Sequence, residues 1–74
     1  MTDIQKQLNE AETLLLNARS YINQCLAKLD HCIDRGIPYR EVQCRIEYDC
    51  ASAIARIFDA QSLLRDVRNL GEED

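Results

Sequence analysis

The residues of this sequence with chemistry of their own are four cysteines, Cys25, Cys32, Cys44 and Cys50, and a single histidine, His31. Four thiols can cross-link, hold a metal or act as nucleophiles. On a helix Cys25 and Cys32 stand two turns apart, about 10 Å along the axis, which is too far to share one tetrahedral ion. No CxxC or CxxxH clamp occurs. His31 adjoins Cys32 but projects about 100° away from it around a helix, so it is a poor base for that thiol. It is expected to face solvent in the last turn, where a cation suits the helix dipole. If the chain doubles back between Cys32 and Cys44, Cys25 meets Cys50 in one layer and Cys32 lies near Cys44. Two nested disulfides are then conceivable, but Cys44 stands about a third of a turn off the line of Cys50, so the second bridge fits poorly. Reduced thiols, buried or half-buried, are the expected state, with no metal and no cofactor.

The other ionisable groups point away from catalysis. One His, one Phe and two Gly leave little from which to build a pocket, and carboxylate pairs need a cleft to raise one pKa. Arg40, Arg45, Arg56, Arg65 and Arg68 invite a nucleic-acid reading. They are interleaved with Glu41, Glu47, Asp49, Asp59 and Asp66, which makes a solvated mixed-charge face. The net charge of -4 disfavours phosphate backbones and anionic membranes as partners, since both select basic surfaces. No apolar run approaches the roughly 20 residues that span a bilayer. The start, MTDIQKQLNE, is too polar for a signal peptide, so a cytoplasmic protein is expected.

The elements that must position these groups are two helices. At 74 residues, 46% hydrophobic and 30% charged, the chain allows one small globular domain. Thr2 with Gln5 fits a capping box, and no Gly or Pro interrupts the chain from there to Gly36. A first helix is predicted over about 3–35 and a turn at about 36–37, with Gly36 as the left-handed cap. Pro38 suits the first position of a second helix over about 38–70. Gly71 would end it, leaving an acidic tail over 71–74. Helix one carries Ile4, Leu8, Ala11, Leu15, Ala18, Ile22, Cys25, Leu29 and Cys32 at alternating steps of four and three; helix two continues with Ile46, Cys50, Ala53, Ile57, Ala60, Leu64 and Val67. This is the seam of a coiled coil. Folding the chain at Ile37 pairs Leu29 with Ile46, Cys25 with Cys50, Ile22 with Ala53, Ala18 with Ile57, Leu15 with Ala60, Ala11 with Leu64 and Leu8 with Val67. Every pair shares one constant register, and in the four middle layers that hold an alanine a large aliphatic faces it. The fold class is therefore all-α: a two-helix antiparallel coiled-coil hairpin, completed by a dimer or a partner helix.

A hairpin of this size buries one stripe per helix and is marginal in stability without help. Leu26 and Ile33 flank the seam on the same side as Ile54, and Phe58, Ala51 and Cys44 extend that stripe outward on helix two. These six are the candidate protein-binding residues. A smaller group, Leu14, Tyr21 and Leu63, falls on the opposite face. The leading functional class is an accessory chaperone or adaptor that binds another protein through this face. The alternatives are a self-associating four-helix-bundle hairpin with a structural or RNA-binding role, and a disulfide-stapled hairpin.

The chain resembles the small subunit of the type III secretion needle-chaperone complex, the YscE/PscE-like family. The likeness rests on Met1-Thr2 with Ile4, Gln7 and Leu8, the Arg35-Gly36 break between two long helices, the length, and the Ala/Ile-rich stretch from Ala51 to Ile57. Four cysteines and Pro38 depart from that pattern. The resemblance implies a cytoplasmic hairpin that supports a larger helical-repeat chaperone, which in turn cradles a needle subunit and prevents its polymerisation. It implies binding and stabilisation rather than chemistry, and no site residue carries over by motif.

Overall fold

A computed structural model describes residues 2–72, and side chains for residues 2–70. Helix α1 spans Asp3–Arg35 and helix α2 spans Gln43–Glu72; the described residues contain no strand. The two helices pack on each other in opposite directions, since Tyr21 meets Arg56 while Lys28 meets Asp49. The product is an all-α hairpin, a rod of 56 × 17 × 13 Å.

Each end of α1 has a local cause. Thr2 Oγ1 accepts from the Gln5 backbone N–H at 3.1 Å, and the Gln5 side chain accepts from the Thr2 N–H at 3.3 Å. Two of the helix's orphan donors are thereby satisfied reciprocally. Asp3 places a carboxylate in the first turn and Arg35 a cation in the last, both favourable to the dipole. Gly36 closes the helix at φ 67°, ψ 25°, a left-handed conformation that costs an L side chain strain.

The second helix starts later than the sequence predicts. Pro38 adopts φ -59°, ψ 133°, an extended rather than helical backbone. A 3₁₀ turn follows at Tyr39–Glu41, held by Glu41 N–H donating to Pro38 O and Val42 N–H to Tyr39 O, each at 3.0 Å. The expectation that Pro38 opens α2 is corrected: the helix opens at Gln43, and Val42 O accepts from the Ile46 N–H at 2.9 Å. Ile37 has no side-chain acceptor to cap a helix that began at Pro38, and the chain between the two helices runs from Gly36 through the 3₁₀ turn to Val42. At the far end α2 continues through Gly71 to Glu72. Glycine permits a stop without imposing one. Of the expected acidic tail, Glu73 and Asp74 lie outside the described residues.

The core is a row of small side chains with one large aliphatic, Ile46, among the described residues. Ala11, Ala18 and Cys25 on α1 and Ile46, Ala53 and Ala60 on α2 are the buried apolar residues, spaced by seven along each helix. The predicted register is kept where Cys25 and Cys50 meet, with Sγ atoms 3.6 Å apart. The other half of the predicted seam is not buried. Leu8, Leu15, Ile22, Leu29 and Leu64 are each between 37% and 44% exposed, and Ile57 is half-buried. The expectation of large aliphatics enclosed against alanines is corrected accordingly. The helices are rolled so that the alanine row lies at the centre of contact, and the leucine and isoleucine row stands at its margin.

Ala18, at 2% exposure, leaves no room for a larger side chain at the contact. Ala18→Leu is expected to destabilise the hairpin by about 1–3 kcal/mol in urea denaturation; a midpoint equal to the wild type would reject this packing.

Candidate protein-docking face

On a 3.6-residue helix, the positions four back from each leucine or isoleucine of the marginal row fall on the alanine row, and the positions immediately preceding that row fall beyond the alanines. Those preceding positions are Gln7, Leu14, Tyr21 and Lys28 on α1 and Asp49, Arg56 and Leu63 on α2. All are half-buried, except Asp49, which is buried. They close one side of the hairpin. Lys28 Nζ bonds Asp49 Oδ2 across the two helices. The Arg56 guanidinium lies 4.9 Å from the centroid of the Tyr21 ring, a cation–π contact. Tyr21 also meets Tyr48 edge-on at 6.4 Å.

These contacts revise the reading of the charges. Asp49 and Arg56 do not belong to a solvated face. Asp49 is 3% exposed and bonded to Lys28, whose side chain is 26% exposed. The pairing satisfies a carboxylate that could not otherwise be buried. Arg56 further donates to the Ser52 carbonyl at 3.3 Å. Leu14, Tyr21 and Leu63 lie on this closed side. The signal for it in the sequence is the lysine–aspartate pair standing one position before Leu29 and Cys50.

The opposite side is open. Because the closing rows of both helices meet each other, the leucine and isoleucine rows of both helices share the other surface. Leu8, Leu15 and Leu16 of α1 and Leu64 of α2 line one recess there, bounded by Glu12 and Arg19. Towards the turn the same surface carries the six residues picked out by the sequence pattern. Leu26, Ile33, Ile54 and Phe58 are exposed by 52, 77, 51 and 64%, and Cys44 and Ala51 are exposed beside them. Sequence reasoning missed Leu8, Leu15, Ile22, Leu29 and Leu64 as members of this surface, having assigned them to the core. The seven-residue alanine spacing could have revealed them, since alanines at the centre of contact displace the intervening large residues outward.

The total accessible surface is 5769 Å², against about 4,700 Å² for a globular monomer of this mass. The surplus of about 1,100 Å² is on the scale of one partner's share of a specific protein interface. Among the described residues, no group of three or more His, Cys, Asp or Glu is placed to hold a metal. His31 is exposed. All four cysteines are free, Cys25 buried, Cys32 half-buried, and Cys44 and Cys50 exposed; the exposure of the last two corrects the expectation that every thiol is at least half-buried. No described helix is long and apolar enough to cross a membrane. No family model matches the chain, and neither a curated protein nor a solved structure does.

Burial pushes the Cys25 thiol above its ordinary value of 9.0, helped by the adjacent Cys50 sulfur and the Asp49 carboxylate. The folded state thus holds this proton more tightly than the unfolded chain. The stability it contributes is complete below the ordinary thiol value and is lost as pH rises through the raised one. Thermal melts above about pH 9 should therefore show wild type losing Tm faster than Cys25→Ala. Parallel curves would contradict the assignment.

Proposed function

We propose that this chain is a non-enzymatic accessory subunit whose open face docks a helix of a protein partner. One observation carries the reading. The hairpin buries Asp49 against Lys28 and half-buries Gln7 and Arg56 on its closed side, while Leu8, Leu15, Ile22, Leu29 and Leu64 stand half-exposed on the other. A chain that encloses charge and leaves leucine in water has its apolar surface arranged for something outside itself. An amphipathic helix laid along the groove between α1 and α2 would cover that row, with Leu26, Ile33, Ile54 and Phe58 as flanking anchors. The contribution is mass action: the partner stabilises the hairpin, and the hairpin stabilises the bound state of the partner.

The finer reading follows the resemblance in sequence. The partner is then a helical-repeat chaperone holding a type III secretion needle subunit, and the complex is cytoplasmic. Marginal stability alone, a lateral apolar face and an acidic surface suit that role. The chain would shield a surface of the chaperone, and through it keep the needle subunit from polymerising.

Affinity purification of the tagged chain from its native host, wild type beside Phe58→Asp, tests the proposal. Phe58 is 64% exposed, so the substitution should leave the melt unchanged. It should weaken recovery of a helical-repeat partner by at least about 30-fold, the scale of an interface hot spot. Recovery at wild-type strength would reject the face. A wild-type dimer in light scattering that Phe58→Asp converts to monomer would assign the face to a second copy, against the adaptor reading.

A further inference from the structure

Cys25 and Cys50 are the only pair of thiols that the fold brings into contact among the described residues. Their sulfurs are 3.6 Å apart, from opposite helices. A disulfide needs about 2.05 Å, so the two sulfurs have about 1.5 Å to close between them. The pair is unequal: Cys50 is exposed on the open side, while Cys25 is 7% exposed and donates its S–H to the Ile46 carbonyl at 3.5 Å.

We propose that Cys25 and Cys50 form a reversible dithiol site that takes a low-molecular-weight disulfide as its oxidant and locks the two helices together. Cys50, reachable from solvent, attacks first. Its thiolate breaks the S–S bond of the oxidant RSSR, forming a mixed disulfide Cys50–SR and releasing one thiol RSH. Cys25 then loses its proton to solvent, attacks Cys50 Sγ and expels the second RSH. The balance is two protein thiols plus RSSR giving one protein disulfide plus two RSH. Burial holds the Cys25 proton tightly, so the second step is slow near neutral pH and accelerates as pH rises. The bond closes the loop that carries the turn, so it restricts the unfolded chain and raises thermal stability. The inference does not rest on the docking proposal, but Cys50 lies on the open side, so the site is reachable while that side is uncovered.

The test uses the full chain and glutathione disulfide at native pH, followed by alkylation, peptide mapping by mass spectrometry and thermal melts. Expected are two thiols lost, a single Cys25–Cys50 linkage, and a Tm higher by about 10 °C or more that dithiothreitol reverses. In Cys25→Ser, glutathione should remain attached to Cys50, and Cys50→Ser should take no intramolecular bond. Four alkylatable thiols after exposure, or a linkage through Cys32 or Cys44 instead, would overturn the site. A Cys25→Ser chain free of glutathione at Cys50 would overturn the order of attack.

Discussion

The whole arrangement depends on how near two helices can come when the residues between them are small. Ala11, Ala18, Ala53 and Ala60 present only a methyl group at the contact and are all but inaccessible to water. Small side chains let the backbones approach towards the lower end of the usual interaxial range, about 8 Å. The bond from the Cys25 thiol to the Ile46 backbone carbonyl shows that approach directly, since a short side chain of one helix reaches the main chain of the other. A leucine in place of one of these alanines would overpack the contact; the large aliphatic that is buried in the row, Ile46, lies near the turn. The larger members of the repeat are displaced to one margin, and the residues on the other side of the alanines are drawn in.

That displacement produces the asymmetry on which the functional reading rests. On the closed side the residues drawn in are mixed in character, and the structure pairs the charged ones, Lys28 with Asp49 and Arg56 over Tyr21, while Gln7 Oε1 is buried without a hydrogen-bond partner. Such pairs contribute little net stability, because desolvation opposes their attraction. Their effect is to fix register and orientation, since any slip along the helices would leave Asp49 buried without a partner. On the open side the leucine and isoleucine row, from Leu8 to Leu29 on α1 with Leu64 on α2, stands partly in water. Apolar surface left at the water boundary contributes less to folding than buried surface does, and on the proposed reading a partner would cover that row.

Much of this was legible in the residues. The capping pair Thr2 and Gln5, the left-handed Gly36, the helical class and the meeting of Cys25 with Cys50 all follow from local chemistry and from one constant register. The roll of the helices about their axes did not. A three-four repeat defines two adjacent rows of apolar positions, and hydrophobicity alone assigns both to the core. The choice of which row sits at the centre is made by volume, and the alanines decide it. Asp49 was read as solvent-facing for the same reason: its burial follows from the roll and from Lys28 across the contact, neither of which is a property of α2 alone. Pro38 misled differently. Its φ suits a helix start, but its ψ is set by the path the chain must take between two rods.

The most direct measurement is the solvent exposure of individual methyl groups in the monomer, read by nuclear magnetic resonance as the relaxation caused by a soluble paramagnetic chelate. Methyls of Ala11, Ala18, Ala53 and Ala60 should be almost unaffected, while those of Leu15, Ile22, Leu26 and Ile54 should relax strongly. Alanine methyls that respond as strongly as the leucines would show that the helices do not meet through the alanine row, and the one-sided hairpin would have to be abandoned.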